Sequence, residues 1–326
     1  MSNNYIMKKI AFLFSLVLFA QIAFAQTQKR VFKPNWKVGE KKTITITDVK
    51  VSYEGDSIKE SETNTVDGEI SIVRMDNANY YVDITYSNVV LRSFEKFYDK
   101  LGEEMPAYKK VQLKFKVNKQ TGKSDLINWK EANDYVLKSF DEVSRIIKTK
   151  APEAEMMLDI VFTPIKDIFK TKESAEGYFT QELGCVLSPF GKNYSTTDTL
   201  VITQSTKNPF GQDSLSATTR SILSNINESA GTCDIISSTE MDLSQVVQMI
   251  KSMMQAMMKK MKPDDKEAKE ALAELDNIKM EMTNTEVLTF NFKTSWTTLC
   301  VQKTVVNVNM PGKSGKQYST KTITVK

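Results

Sequence analysis

The sequence predicts an α+β fold, a large curved antiparallel sheet with two helical inserts packed on one face. Period-two alternation recurs in many segments, the mark of strands with one side buried and one side wet. Two stretches instead carry apolar residues at helical spacing, and strand signals lie on both sides of each. Neither is flanked by a Pro/Gly/Ser-rich linker, which favours one sheet completed by both ends of the chain over two domains.

Met7-Lys8-Lys9, an apolar run from Ile10 to Ala20, and Ala23-Phe24-Ala25 have the charge, length and small residues of an export signal. The run is too short for a membrane span of roughly 20 residues. Cleavage after Ala25 leaves residues 26–326 as a single domain, expected in the periplasm of a Gram-negative bacterium or outside the cell. No transmembrane segment is expected in it. Losing Lys8 and Lys9 lowers the formal charge from +4 by two, so nothing in the charge favours a nucleic-acid partner.

The strand signals begin after an opening turn, Asn35-Trp36-Lys37-Val38-Gly39-Glu40. Lys42 to Tyr53 follows, with a slip in its alternation between Ile46 and Val49 that predicts a bulge. Gly68 to Met75 and Tyr80 to Tyr86 are joined by Asp76-Asn77-Ala78-Asn79, which is hairpin chemistry. Lys110 to Val117 alternates strictly, and a turn at Asn118 to Gly122 leads to Leu126-Ile127. Asn128 is placed to cap a helix, with Glu131 three residues on.

The first insert, 129–183, carries Trp129, Ala132, Tyr135, Val136, Phe140, Val143, Ile146 and Ile147 on one stripe. A second helix is predicted from Pro152 through Phe169, and a shorter one from Ser174 to Leu183. Strands are then predicted at Leu200 to Ile202, Leu215 to Leu223 and Gly231 to Met241. After the second insert, 243–276, come Val287 to Phe292, Trp296 to Val308 and Gln317 to Val325, with Pro311 to Gly315 as a turn.

The order of these elements resembles the half-barrel of periplasmic lipoprotein carriers (LolA/LppX-like proteins). One local passage adds to it: Thr121-Gly122, then Leu126-Ile127-Asn128-Trp129-Lys130-Glu131 opening a helix. The resemblance implies a half-barrel whose helices plug the hollow of the sheet and move aside for acyl chains. It assigns no residue a role.

The second insert places six methionines between Met249 and Met261. Leu243, Val246, Val247, Ile250, Met253, Met254, Met257, Met258 and Met261 fall within an arc of roughly 140° on a helix. Lysines, serines and Gln255 occupy the other side. Such a stripe ordinarily packs as core. Methionine is also unbranched and polarizable, and so suits a surface that must re-pack around an apolar guest. The candidate ligand-binding residues are therefore Ile250, Met253, Met254, Met257, Met258 and Met261, with Trp129, Tyr135 and Phe140 from the first insert. The guest would be a lipid or another apolar small molecule.

Two further readings stay open. The helices could simply fill the core of an envelope protein that binds a protein partner. Met254, Met257, Met258 and Met261 could instead gather thioethers around copper(I). No metal ligand or cofactor is named on firmer grounds.

Catalysis finds little support. The chain has no histidine, which removes the commonest general base and most zinc and copper(II) sites. GxSxG, Walker and GxGxxG motifs are absent. The one SxxK, Ser93 to Lys96, lacks its partner motifs. The adjacent acids Glu103-Glu104 and Asp264-Asp265 lie in charged turns. Cys185, Cys233 and Cys300 include no CxxC pair. They read as small buried hydrophobes, an odd count that leaves at least one thiol free of any disulfide.

Overall fold

In the computed structural model the described residues are 29–55, 57–86, 111–150, 162–163, 166, 169–207, 214–241, 243, 247–248, 279–310 and 313–326. The export signal and the methionine-rich stretch beyond Gln248 lie outside them, as does most of the helix predicted from Pro152.

The strands are β1 Lys29–Val31, β2 Lys41–Glu54, β3 Ser57–Met75, β4 Asn79–Tyr86, β5 Val111–Asn118 and β6 Ser124–Leu126. Helices α1 Trp129–Lys150, α2 Lys172–Phe179 and α3 Gln181–Leu187 follow. The rest are β7 Asn193–Ser195, β8 Leu200–Lys207, β9 Ser214–Asn227, β10 Thr232–Met241, β11 Lys279–Asn291, β12 Trp296–Met310 and β13 Lys313–Val325.

Eleven strands form one antiparallel sheet in the order β6-β5-β4-β3-β2-β13-β12-β11-β10-β9-β8. It is open, with β6 and β8 at its ends. The two ends of the chain meet inside it, where β2 pairs with β13 from Ile44↔Val325 to Glu54↔Gly315. Helices make up a small part of the described structure. β1 and β7 form a separate two-stranded ladder that was not expected.

Side-chain alternation gives the sheet two unlike faces. One face is covered. Leu223, Ile235, Leu288, Cys300, Ile323 and Ile46 are register partners in turn across six strands, and all are buried. Ile70, Ile72, Val82, Ile84, Leu113, Phe115 and Val117 extend the same core toward β6. α1 lies against β5 and α3 against β12. Ala132, Val136, Phe140, Val143, Ile146 and Ile147, six of the eight stripe residues, are buried. The other face is wet and rich in Thr and Val.

An aromatic group closes the core under the N-terminal segment. Trp36 meets Phe190 edge-on at 5.6 Å, and Phe190 meets Phe290 the same way at 5.7 Å. Gly122 sits at φ +67, and a Cβ there would lie 2.6 Å from Cβ of Phe190, so only glycine lets this turn close over the ring.

Several expected details change. β2 is regular through Ile46 to Val49, and its irregularity falls between Ser52 and Tyr53. The apparent slip arises because Val49 and Val51 face the wet side, where β-branched residues also suit a pleated surface. Asn128 does not cap α1 through its side-chain oxygen. That oxygen accepts the backbone N–H of Lys114 (2.8 Å), and Asn128 Nδ2 donates to the Gln112 carbonyl (2.8 Å) and to Glu131 (3.1 Å). Asn128 thus prolongs the ladder on β5 where β6 ends.

The single helix predicted from Ser174 to Leu183 is two, parted at Thr180, whose hydroxyl donates back to the Glu176 carbonyl. β3 begins at Ser57 rather than Gly68, and β11 at Lys279 rather than Val287. The first half of β3 is polar on nearly all positions, and that of β11 has only Met280 and Met282 on one side, an alternation too short to mark a strand. The turn expected over Pro311 to Gly315 is tighter, since Met310 already pairs with Lys313.

Candidate functional site

Trp129, Tyr135 and Phe140 all lie on α1 and pack in or against the core. Trp129 and Tyr135 are half-buried against the core, and burial raises the pKa of the Tyr135 phenol, so that it ionises less readily. Phe140 is buried and meets Phe162 edge-on at 5.2 Å. Ile250, Met253, Met254, Met257, Met258 and Met261 lie outside the described residues. Of that segment's first turn, Leu243 and Val247 are described. Both are buried, and the Val247 N–H donates to the Leu243 carbonyl at 3.0 Å.

Along the covered face, the apolar row from Leu223 to Ile46 does not repeat in the row beside it. The next row is polar: Ser221, Ser237, Glu286, Gln302, Lys321, Asp48 and Asn64, again register partners in turn. Ser221 and Ser237 share a hydrogen bond of 2.8 Å. A second polar row runs Thr219, Thr239, Asn284, Thr304, Ser319, Lys50 and Glu62. Toward the strand ends the face turns apolar again on β11 and β12. There Met282 pairs with Val306 and Met280 with Val308, all four half-buried. The methionine-rich segment leaves β10 and enters β11 at this same end.

At the boundary between the apolar and polar rows, α3 brings Cys185 down onto the sheet. Its Sγ, the Sγ of Cys300 on β12 and a carboxylate oxygen of Glu286 on β11 lie within 4.8 Å of one another. Gln302 Nε2 donates to the Glu286 carboxylate (2.7 Å) and to Cys185 Sγ (3.2 Å). Cys300 Sγ stands 3.7 Å from the same carboxylate. The α3 backbone is fixed here by Thr297, whose hydroxyl donates to the Cys185 carbonyl at 3.1 Å.

The electrostatics are strained in one direction. The hydrogen bond with Cys185, then burial, then the nearby Glu286 carboxylate push the Cys300 thiol far up, so it stays protonated. Burial holds the Lys192 ammonium below its ordinary range, opposed by the same carboxylate. Burial and Glu286 together raise Tyr194. Cys233 is not one of the three converging groups, and it is pushed up to about 11, chiefly by burial. All three cysteines are buried and none is in a disulfide.

Sequence reading did not find this cluster. Its members come from three elements, and nothing in their spacing along the chain marks them. A shallow polar depression of about 160 Å³ lies elsewhere, at the β5–β6 hairpin, between Asn79, Lys116, Asn118 and Asp125.

No family model matches the chain. No curated protein matches it either. Among solved structures, the chain is similar to Ail, the attachment invasion locus protein of Yersinia pestis, over 89% of this chain and 100% of that one. The identity is 4% and the TM-score 0.16, so the likeness carries no argument about fold or function.

Proposed function

We propose that this is an exported periplasmic protein that binds and carries an amphiphilic, lipid-like ligand without catalysis. In this reading the open sheet curves into a half-barrel. Helices α1 and α3 lie against its covered face.

One observation supports it best. The covered face offers two polar rows and then a half-buried apolar patch, Met280, Met282, Val306 and Val308, on β12 and on β11, which follows the methionine-rich insert in the chain. That sequence of surfaces suits a molecule with a polar head and an apolar tail. Thioether side chains adapt their packing to such a tail, and burying it contributes about 0.8 kcal/mol per CH₂.

The test is saturable binding of a fluorescent fatty acid. Met282→Lys and Val306→Lys are expected to weaken it at least about tenfold, as a desolvated charge in the tail site costs more than 1.4 kcal/mol. Tyr318→Lys, on the wet face, leaves it unchanged. Equal binding by all four proteins rejects the site.

A second reading, an envelope protein that binds a protein partner, draws support from the wet face. There Ile236 (40% exposed), Val287 (41%) and Leu299 (37%) lie on three neighbouring strands, β10, β11 and β12. The copper(I) reading of the four methionines concerns residues outside the described structure.

A further inference from the structure

The Cys185, Cys300 and Glu286 side chains form, we infer, a three-ligand site for one thiophilic divalent cation of the zinc type, distinct from the ligand surface proposed above. The case is geometric and chemical. Two sulfurs and one carboxylate oxygen from α3, β12 and β11 converge within 4.8 Å. Two sulfurs and an oxygen are a donor set that zinc accepts in tetrahedral sites, with three protein ligands and one further position.

The surroundings fit the charge. Two thiolates and a carboxylate carry −3 together, a divalent cation leaves −1, and Lys192 stands within electrostatic reach of Glu286 to offset it. Gln302 already donates to both Cys185 and Glu286. It would act as the outer partner that orients both ligands. Glu286 is half-buried at the edge of the polar row, which gives an ion a way in that the buried thiols alone do not. Cys233 is buried, is not one of the three converging groups, and serves as an internal control.

Loading the site replaces the two S–H protons by metal–sulfur bonds and releases both protons to solvent, with no oxidation. Affinity therefore falls as pH falls.

The experiment is titration of the reduced full-length mature chain with Co²⁺ and then Zn²⁺. One Co²⁺ per chain is expected, with a thiolate-to-cobalt charge-transfer band that Zn²⁺ abolishes. Cys233→Ala retains the band. Cys185→Ala and Cys300→Ala lose it, and Glu286→Gln binds at least about tenfold more weakly. Should the cysteine variants fail to fold, the wild-type chain still decides. Zn²⁺ should protect Cys185 and Cys300 from alkylation, read by peptide mapping, and leave Cys233 as reactive as before. Three results overturn the site: no cobalt band in the reduced chain, equal protection of all three thiols, or an isolated chain two hydrogens lighter with Cys185 and Cys300 joined in a disulfide. Each can occur whether or not a lipid binds at Met282, so the two proposals stand or fall separately.

Discussion

The indole of Trp36 stacks on that of Trp296, with ring centres 4.8 Å apart and planes 26° from parallel. Each ring also places its one polar atom. Trp36 Nε1 donates to the Ser295 carbonyl at 2.9 Å, and Trp296 Nε1 donates to Glu40 at 2.7 Å. The pair clamps the segment before β2 to the start of β12, across most of the chain's length. Trp36→Ala should cost about 3–5 kcal/mol, as for other large aromatic deletions from a core. Urea unfolding checks it. A loss below about 1 kcal/mol would show that the N-terminal segment is not part of the core.

Two glycines should respond in opposite directions. Gly68 is central in the sheet, and a Cβ there would meet the Thr85 carbonyl oxygen at 2.8 Å and the Tyr86 ring at 2.9 Å. Gly68→Ala should destabilise by about 1–3 kcal/mol through overpacking. Gly177 lies within α2 with nothing inside 4 Å of the added carbon. Gly177→Ala should stabilise by about 0.5–1 kcal/mol. Thermal unfolding of the two variants gives both signs in one experiment.

Asn128 is predicted to matter through β5 rather than through α1. Asn128→Ala removes bonds to the Lys114 N–H and the Gln112 carbonyl, for a loss of about 1–2 kcal/mol. Amide exchange should quicken at Lys114 more than in the first turn of α1. The reverse order would restore the helix-cap reading.

The hairpin between β3 and β4 should show acid sensitivity. Asp76 accepts N–H bonds from Ala78 (2.8 Å) and Asn79 (2.7 Å) and a hydroxyl from Tyr81 (3.0 Å). The Ala78 N–H foremost holds its pKa at about 2, down from an ordinary 3.8. A lowered folded-state pKa stabilises above the unfolded value, and that contribution is lost as pH falls from 3.8 through about 2. Asp76→Ala should therefore lower Tm at neutral pH, by a margin that narrows across this window. An NMR titration midpoint for Asp76 near 3.8 would contradict it.

The antiparallel sheet was legible wherever a strand had one apolar side. Tyr80 to Tyr86 and Val111 to Val117 alternate with burial, in β4 and β5. The α1 stripe was equally plain. What escaped the sequence did so for three reasons: weak hydrophobic contrast, short length and tertiary convergence. Ser57 to Asp67 and Lys279 to Glu286 extend strands beyond the core, where both faces are polar or half-wet. β1 and β7 are three residues each, too short for any period. Cys185, Glu286, Cys300 and Gln302 meet only because α3 lands on the β11–β12 register, a tertiary event that local pattern does not encode. Of the strand aromatics, Tyr80, Tyr86, Phe115, Phe290 and Trp296 are buried, and Phe292 is half-buried against the same core.

The central claim is that the covered face holds an amphiphile. Native mass spectrometry of the mature chain purified from a bacterial periplasm, before and after organic extraction, tests it most directly. The account predicts an added mass that extraction removes and that returns when the extracted lipid is restored. A chain that flies at its bare mass, and takes up no added amphiphile, would contradict it.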